Sequence, residues 1–385
     1  MDYCSVCGIS EKRRRIGNLS LFACIFVLTT AYFHFYSWYS LLAPYGTLTA
    51  AVFLTVTFFC YVDLSYALRD PVFYLMIFTD LLALVHLLLV HSHMGAILTV
   101  ADFLLILYLS NKLMLSQKEI LVSSAYLGVF FLYWTIDVKG YFKGYNTNYG
   151  GLVLISGFIF LIFFWELMIS RHRKGLYVMR VVEIFLFALA FNIIAWYRSR
   201  CALIGLVVFL ALMLLPAFLW KNRVLYGLLS FGATFGAVLF SLLYVFLGKN
   251  KDVFTVQLYY KDIISGREAV WSELWQAYLR QPFTGIGSAY QMQLEEMNGL
   301  FEVHSGLLDI LIVHGLIVFL ITCTFLVFRL FFIRERCASE HMAKTAMAGI
   351  FAMLFTAFLE NYIIVAPFCL MFLLLFGYAG AQSHR

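Results

Sequence analysis

Apolar runs long enough to cross a bilayer recur from about residue 19 to about residue 381, and no other feature constrains the fold of this chain as strongly. A hydrocarbon core of roughly 30 Å is crossed by a helix of about 17–25 residues. Inside it, every backbone N–H and C=O must find a partner within the protein. Of the 385 residues, 63% are hydrophobic and only 12% are charged. The mean hydropathy is +0.89, whereas a soluble domain is nearer half apolar and a quarter charged. The expected fold is therefore an all-α polytopic membrane protein built as one bundle. Five prolines leave few helices broken. The net charge of +6 fits basic cytoplasmic loops better than a nucleic-acid partner, and none is expected.

The pattern predicts about twelve helices, near 19–39, 46–66, 72–91, 94–110, 119–137, 150–170, 177–196, 201–220, 224–247, 304–330, 343–359 and 362–381. Lys12, Arg13, Arg14 and Arg15 precede the first run and set the N-terminus in the cytoplasm by the positive-inside rule. The C-terminus then falls on the same side. Arg69, Lys112, Lys118, Arg171, Arg173, Lys174, Lys221, Arg223, Arg334, Arg336 and Lys344 fall in the inner turns. The chain divides into a basic tail at 1–18, nine membrane helices over 19–247, a large extracytoplasmic loop at 248–303 and three more helices over 304–385. No small-residue cleavage site follows the first run, so it reads as a retained helix. Cys4 and Cys7 form a lone C-x-x-C without the second pair a zinc site needs, and none of the eight cysteines lies in the long loop.

Cations on the outer side break the rule. They are Lys139, Lys143, Arg198 and Arg200, together with those of the loop. The join "WYRSRCALIG" has two readings: arginines snorkelling to headgroups, or a site. In the loop, Ser265 and Glu268 have capping-box spacing, and Val270, Trp271, Leu274, Trp275 and Tyr278 make one helical stripe. That helix lies either on the membrane surface or against the bundle. Arg267 stands in its first turn. Arg200 and His304 stand at the starts of membrane helices whose N-termini face outward. A helix N-terminus has unpaired N–H groups and attracts anions. If the three converge, they form a pocket for something strongly anionic beside an imidazole. Asp63, Asp80, His86, Asp102 and Glu183 fall within membrane segments and read mostly as structural. The outer turns His91-Ser92-His93 and Glu360-Asn361-Tyr362 carry polar groups, and the second could join the site.

These segments resemble the bacterial O-antigen ligase and polymerase family. "YRSRCALIG" resembles its Ser-Arg-small-small motif, and "SGREAVW…RQPFTGIGSAY" its arginine before a tryptophan followed by Pro and Gly-x-Gly. His304-Ser305, nine residues, then Gly315 resembles its His-polar-x9-Gly element. "YFKGYNTNYGG" resembles an Asn-containing segment ahead of the sixth helix. The ordered set covers about residues 140–330. Ser305 stands where Asn is common and Val318 where Gly, Thr or Tyr is frequent, and the first hundred residues carry no matching motif.

The resemblance implies a membrane glycosyltransferase of the inner membrane, working on its outer face with an undecaprenyl-diphosphate-linked glycan and without metal or other cofactor. Arg200 and Arg267 would bind the diphosphate, with Arg198 and Arg280 as further candidates, because a guanidinium fork takes phosphate oxygens in pairs. His304 would take the proton from the acceptor hydroxyl or hydrogen-bond the substrate. Neighbouring cations and the helix N-terminus disfavour its charged form. The short chain and loop favour a polysaccharide repeat-unit polymerase over a ligase that transfers to lipid A core. A flippase for lipid-linked sugars is the third reading. Membrane lipids, and in a polymerase a chain-length regulator, are the other partners considered.

Overall fold

The computed structural model describes residues 10–34, 41–136, 147–171, 176–250, 257–258, 261–262, 266–292 and 303–381. The helices are α1 Glu11–His34, α2 Gly46–Tyr61, α3 Leu64–Ala67, α4 Pro71–Leu89, α5 Met94–Leu109, α6 Gln117–Ile136, α7 Thr147–Arg171, α8 Leu176–Trp196, α9 Arg200–Leu214, α10 Ala217–Lys221, α11 Arg223–Lys249, α12 Arg267–Arg280, α13 Gly306–Ser339, α14 His341–Thr356 and α15 Phe368–Ala381. Between α11 and α12, β1 Gln257–Leu258 and β2 Lys261–Asp262 pair antiparallel. Seven of the described helices (α1, α4, α6, α7, α8, α11 and α13) are long and apolar enough to cross a membrane, while α2, α5, α9 and α15 are apolar but shorter. This is the build of a helical polytopic membrane protein.

Polar residues mark where the helices begin and end. Asp70 caps α4 by accepting from Val72 N at 2.9 Å, with Pro71 in the first helical position, where its missing N–H leaves nothing unpaired. Asn222 caps α11 through Val224 N and Leu225 N. Asp63, expected inside a membrane segment, lies beyond the end of α2 and caps α3 through Ser65 N. The expected 201–220 helix stops at Leu214, and α10 follows Pro216 as a separate turn.

The basic cluster expected ahead of the first helix lies inside α1. Arg13 donates to Phe59 O at 2.6 Å and to Val62 O at 3.3 Å, where α2 ends. Arg329 Nε donates to Leu107 O near the end of α5, and Lys344 Nζ to Leu215 O just past α9. Helix C-termini leave carbonyls unpaired and partly negative, so cations settle there. At that same end of the bundle Arg180 joins Glu166 and Glu183, which ties α7 to α8 and accounts for Glu183.

The centre of the bundle is α7, α14 and α15, whose side chains are mostly buried. Lipid tails are as apolar as leucine, so packing and hydrogen bonds hold membrane helices together. Small residues on α14 (Ala343, Ala346, Ala348, Gly349 and Ala352) let its neighbours approach closely. Ser123 and Tyr378 share a hydrogen bond at 2.6 Å between α6 and α15, and Trp134 Nε1 donates to Phe33 O at 2.9 Å. The outward faces of α4, α8 and α11 expose Leu88, Ile184, Phe185, Leu228 and Leu239, as a lipid-facing surface should.

Candidate functional site

Helix α12 packs against the bundle, which decides between the two positions open to it. Val270, Trp271, Leu274 and Tyr278 are buried, Trp275 Nε1 donates to Ser241 Oγ on α11, and Trp271 Nε1 donates to Val303 O at 2.7 Å. The capping box cannot be followed to its first member, but the start of the helix is clear. Gly266 holds the cap position with φ 89° and no side-chain cap, and Glu268 Oε2 is buried without a partner. Ser265 lies outside the described residues.

Arg267, the first residue of α12, reaches the turn after α14. It donates to Leu359 O and pairs with Glu360 Oε1. The other oxygen of Glu360 lies 3.5 Å from His304 Nδ1. The Arg267 and Glu360 side chains are only 14% and 10% exposed, so their attraction is little screened by water. The backbone beside the histidine is docked on the same turn. Ser305 N donates to Asn361 Oδ1 at 3.0 Å, Ser305 Oγ to Ala357 O, and Gly306 N to Ala357 O and Glu360 O. His304 has φ 51°, a left-handed conformation that costs a non-glycine residue about 1–2 kcal/mol and persists only where the surroundings hold it.

Arg198 shares this conformation, with φ 60°. It closes α8 in the place where glycine is usual: Arg198 N donates to Ala195 O, and Ser199 N to Ile194 O. The turn is pressed against the start of α7, where a Cβ on Gly151 would overlap Ser199 Oγ and Cβ. Arg198 is exposed, and Arg200, the first residue of α9, is half-buried. Cys201, next to Arg200, is within electrostatic reach of Glu360 and Arg267. The starts of α9, α12 and α13 and the 357–361 turn therefore gather at one end of the bundle. Arg280 sits at the far end of α12, about 20 Å of helix from Arg267. There it acts on Tyr290, whose phenol burial and Glu273 push above the usual value. Lys139, Lys143, Cys4 and Cys7 fall outside the described residues.

The Gly-x-Gly and Gly315, which follows Ser305 after nine intervening residues, form one device. Helix α13 breaks at Gly315, at φ 83° and ψ 175°. Leu316 N, which would donate to Ile312 in an unbroken helix, donates to Pro282 O instead. The stranded carbonyls of Ile312 and Val313 accept from Ile286 N at 2.9 Å and Gly287 N at 3.1 Å. Gly285 and Gly315 face each other so closely that a Cβ on either would overlap the other strand's backbone. Segment 282–287 is thus a strap laced to the first piece of α13. Ser288 continues it onto the 91–93 turn, with His93 N donating to Ser288 Oγ and Ser288 N to Ser92 Oγ.

Glu360 is the residue that sequence reasoning underused. Its only signal was an acidic side chain in an outer turn, and it supplies the negative charge that links Arg267 to His304. Among the described residues no group of three or more His, Cys, Asp or Glu is arranged to hold a metal ion.

An Arg–carboxylate–His cluster thus stands at one end of an apolar helical bundle of the polytopic membrane type. Residues 184–323 match the family model described as O-antigen ligase. The match takes in Arg198, Arg200, Arg267, His304 and Gly315, and stops short of Glu360. No curated protein and no solved structure matches the chain.

Proposed function

We propose that this protein transfers a glycan from undecaprenyl diphosphate to a sugar hydroxyl on the outer face of the inner membrane. The observation that carries this reading is the single carboxylate of Glu360 held between Arg267 and His304. A carboxylate at Nδ1 keeps the N–H on that nitrogen and leaves the Nε2 lone pair for the acceptor. His304 takes the acceptor's proton and the freed oxygen attacks the anomeric carbon. The bond from that carbon to the phosphate oxygen breaks, and the diphosphate leaves with the electron pair. Its growing charge is met by Arg198 and Arg200 and by N–H donors of Arg267 beyond the two that hold the turn. Arg280 then takes no part in the first contacts, and no metal is required. This revises the expected electrostatics: a carboxylate stands beside the imidazole together with the cations.

In this reading about twelve helices cross, both termini are cytoplasmic, and the 248–303 segment is extracytoplasmic, as the placement of Lys and Arg argues. The acceptor is the next lipid-linked repeat unit, because the segment between α11 and α13 is short for a protein that must also hold lipid A core. The printed description of the matching family supports ligase as the second reading.

The test is a deletion complemented with variants and read as a cell-surface glycan ladder. A polymerase deletion leaves single repeats, a ligase deletion leaves polymer on the carrier, and a flippase deletion leaves carrier-linked repeats inside. His304→Ala and Arg267→Ala should express and fail to restore transfer. Full ladders from either would reject the assignment.

A further inference from the structure

Four ionisable side chains stand in the bundle away from His304, where α4, α5 and α13 meet. His86 and His314 are 5% and 1% exposed, and their rings lie nearly parallel with centroids 6.1 Å apart. His314 also hydrogen-bonds the backbone of Ala96 on α5. Nδ1 of each histidine is buried without a partner. In the antiparallel α4–α5 hairpin, the register that sets His86 level with Ala96 sets Asp80 level with Asp102. Those carboxyls lie six residues, or about 9 Å, deeper on both arms. Asp80 and Asp102 sense each other's charge, and Asp80 Oδ1 and Asp102 Oδ2 are buried with no hydrogen bond. The other titratable groups within reach of Asp102 are Cys24 on α1 and Cys369 on α15. Neither carboxyl has an ion-pair partner among the described residues.

Two carboxylates within electrostatic reach of each other and without cationic partners in an apolar bundle disfavour being charged together, so such a pair favours taking up a small cation. A hard metal ion wants six or more oxygens around it, and the neighbours here are thiols and hydrocarbon. A proton needs only an oxygen on each side. We propose that Asp80 and Asp102 form a proton-binding site, loaded from the His304 end of the bundle by way of His86 and His314. The entrance lies beneath the strap: Ile286 and Gly287 bond the carbonyls of Ile312 and Val313, just before His314, and Gly287 abuts Val90, four residues beyond His86. Unpartnered imidazole nitrogens at this level are groups that can accept a proton on one side and release it on the other. This inference is independent of the glycan-transfer reading.

Infrared spectroscopy on the full-length protein in lipid nanodiscs tests it. At neutral pH the wild type should show a protonated-carboxyl C=O stretch, part of which is lost in D80N/D102N. On transfer to D2O, the downshift of that component should be several-fold slower in H86Q/H314Q than in wild type. Absence of the band from the wild type, an unchanged band in D80N/D102N, or equal exchange in H86Q/H314Q would each overturn the proposal. The wild-type spectrum requires no variant, so a variant that fails to assemble leaves the proposal open to refutation.

Discussion

Glu360 Oε2 stands 3.5 Å from His304 Nδ1 while Glu360 Oε1 pairs with Arg267, so one carboxylate joins residues from two separate motifs. Glu360→Gln keeps the shape and removes the charge. Transfer should fall by about a hundredfold, within the range of general acid–base assistance. The double variant with His304→Ala should be no worse than His304→Ala alone, since the two act as one unit. Initial rates with a lipid-linked donor and acceptor would measure both effects.

Arg198 occupies a left-handed position. Arg198→Gly should raise stability by roughly 1 kcal/mol, because glycine adopts that conformation without strain. The same change should reduce transfer, because the cation is lost. A raised Tm in detergent alongside a weakened glycan ladder is the expected pair of results. A lowered Tm would contradict the strain argument.

Gly315→Ala and Gly285→Ala should each be severe. Either Cβ would collide with backbone that is itself hydrogen-bonded, and both sites have positive φ. A loss of about 3 kcal/mol or more is expected, seen as poor yield of folded protein in a fluorescence-detected size-exclusion run.

Gly151→Ala should push the Arg198–Arg200 turn off α7 and lower both stability and transfer. The overlap involves Cβ and Oγ of Ser199, so adding Ser199→Gly should recover much of the loss. Additive damage in the double variant would show that the contact does not transmit the effect.

Trp271→Phe removes one buried hydrogen bond, to the carbonyl preceding His304. Stability should drop by about 1 kcal/mol. Transfer should drop more than stability alone explains, because Val303 anchors the histidine's backbone.

Hydrophobic periodicity made the helices readable, since lipid forces each backbone to satisfy itself within its own segment. The stripe from Val270 to Tyr278 was legible for the same reason, although its resting place was not: burying two tryptophans looks alike in sequence whether lipid or protein receives them. The break at Gly315 was hidden because it falls within a long, mostly apolar run, and one glycine in such a run carries no sign of which segment will meet it. Glu360 was hard to weigh because its importance comes from contacts with Arg267 and His304, both distant in the chain. Glu268 pointed to a helix start, and α12 does begin beside it, with Gly266 at the cap position.

The interruption of α13 also has a mechanical consequence. The stub Gly306–His314 is fastened sideways to the 282–287 strap and, through Gly306, to the turn after α14. The longer piece beyond Gly315 is the part that must adapt when bilayer thickness changes, and helices do so by tilting. With a joint between the two pieces, such tilt can be absorbed at Gly315, and the His304 end keeps its orientation as the membrane swells or thins around it.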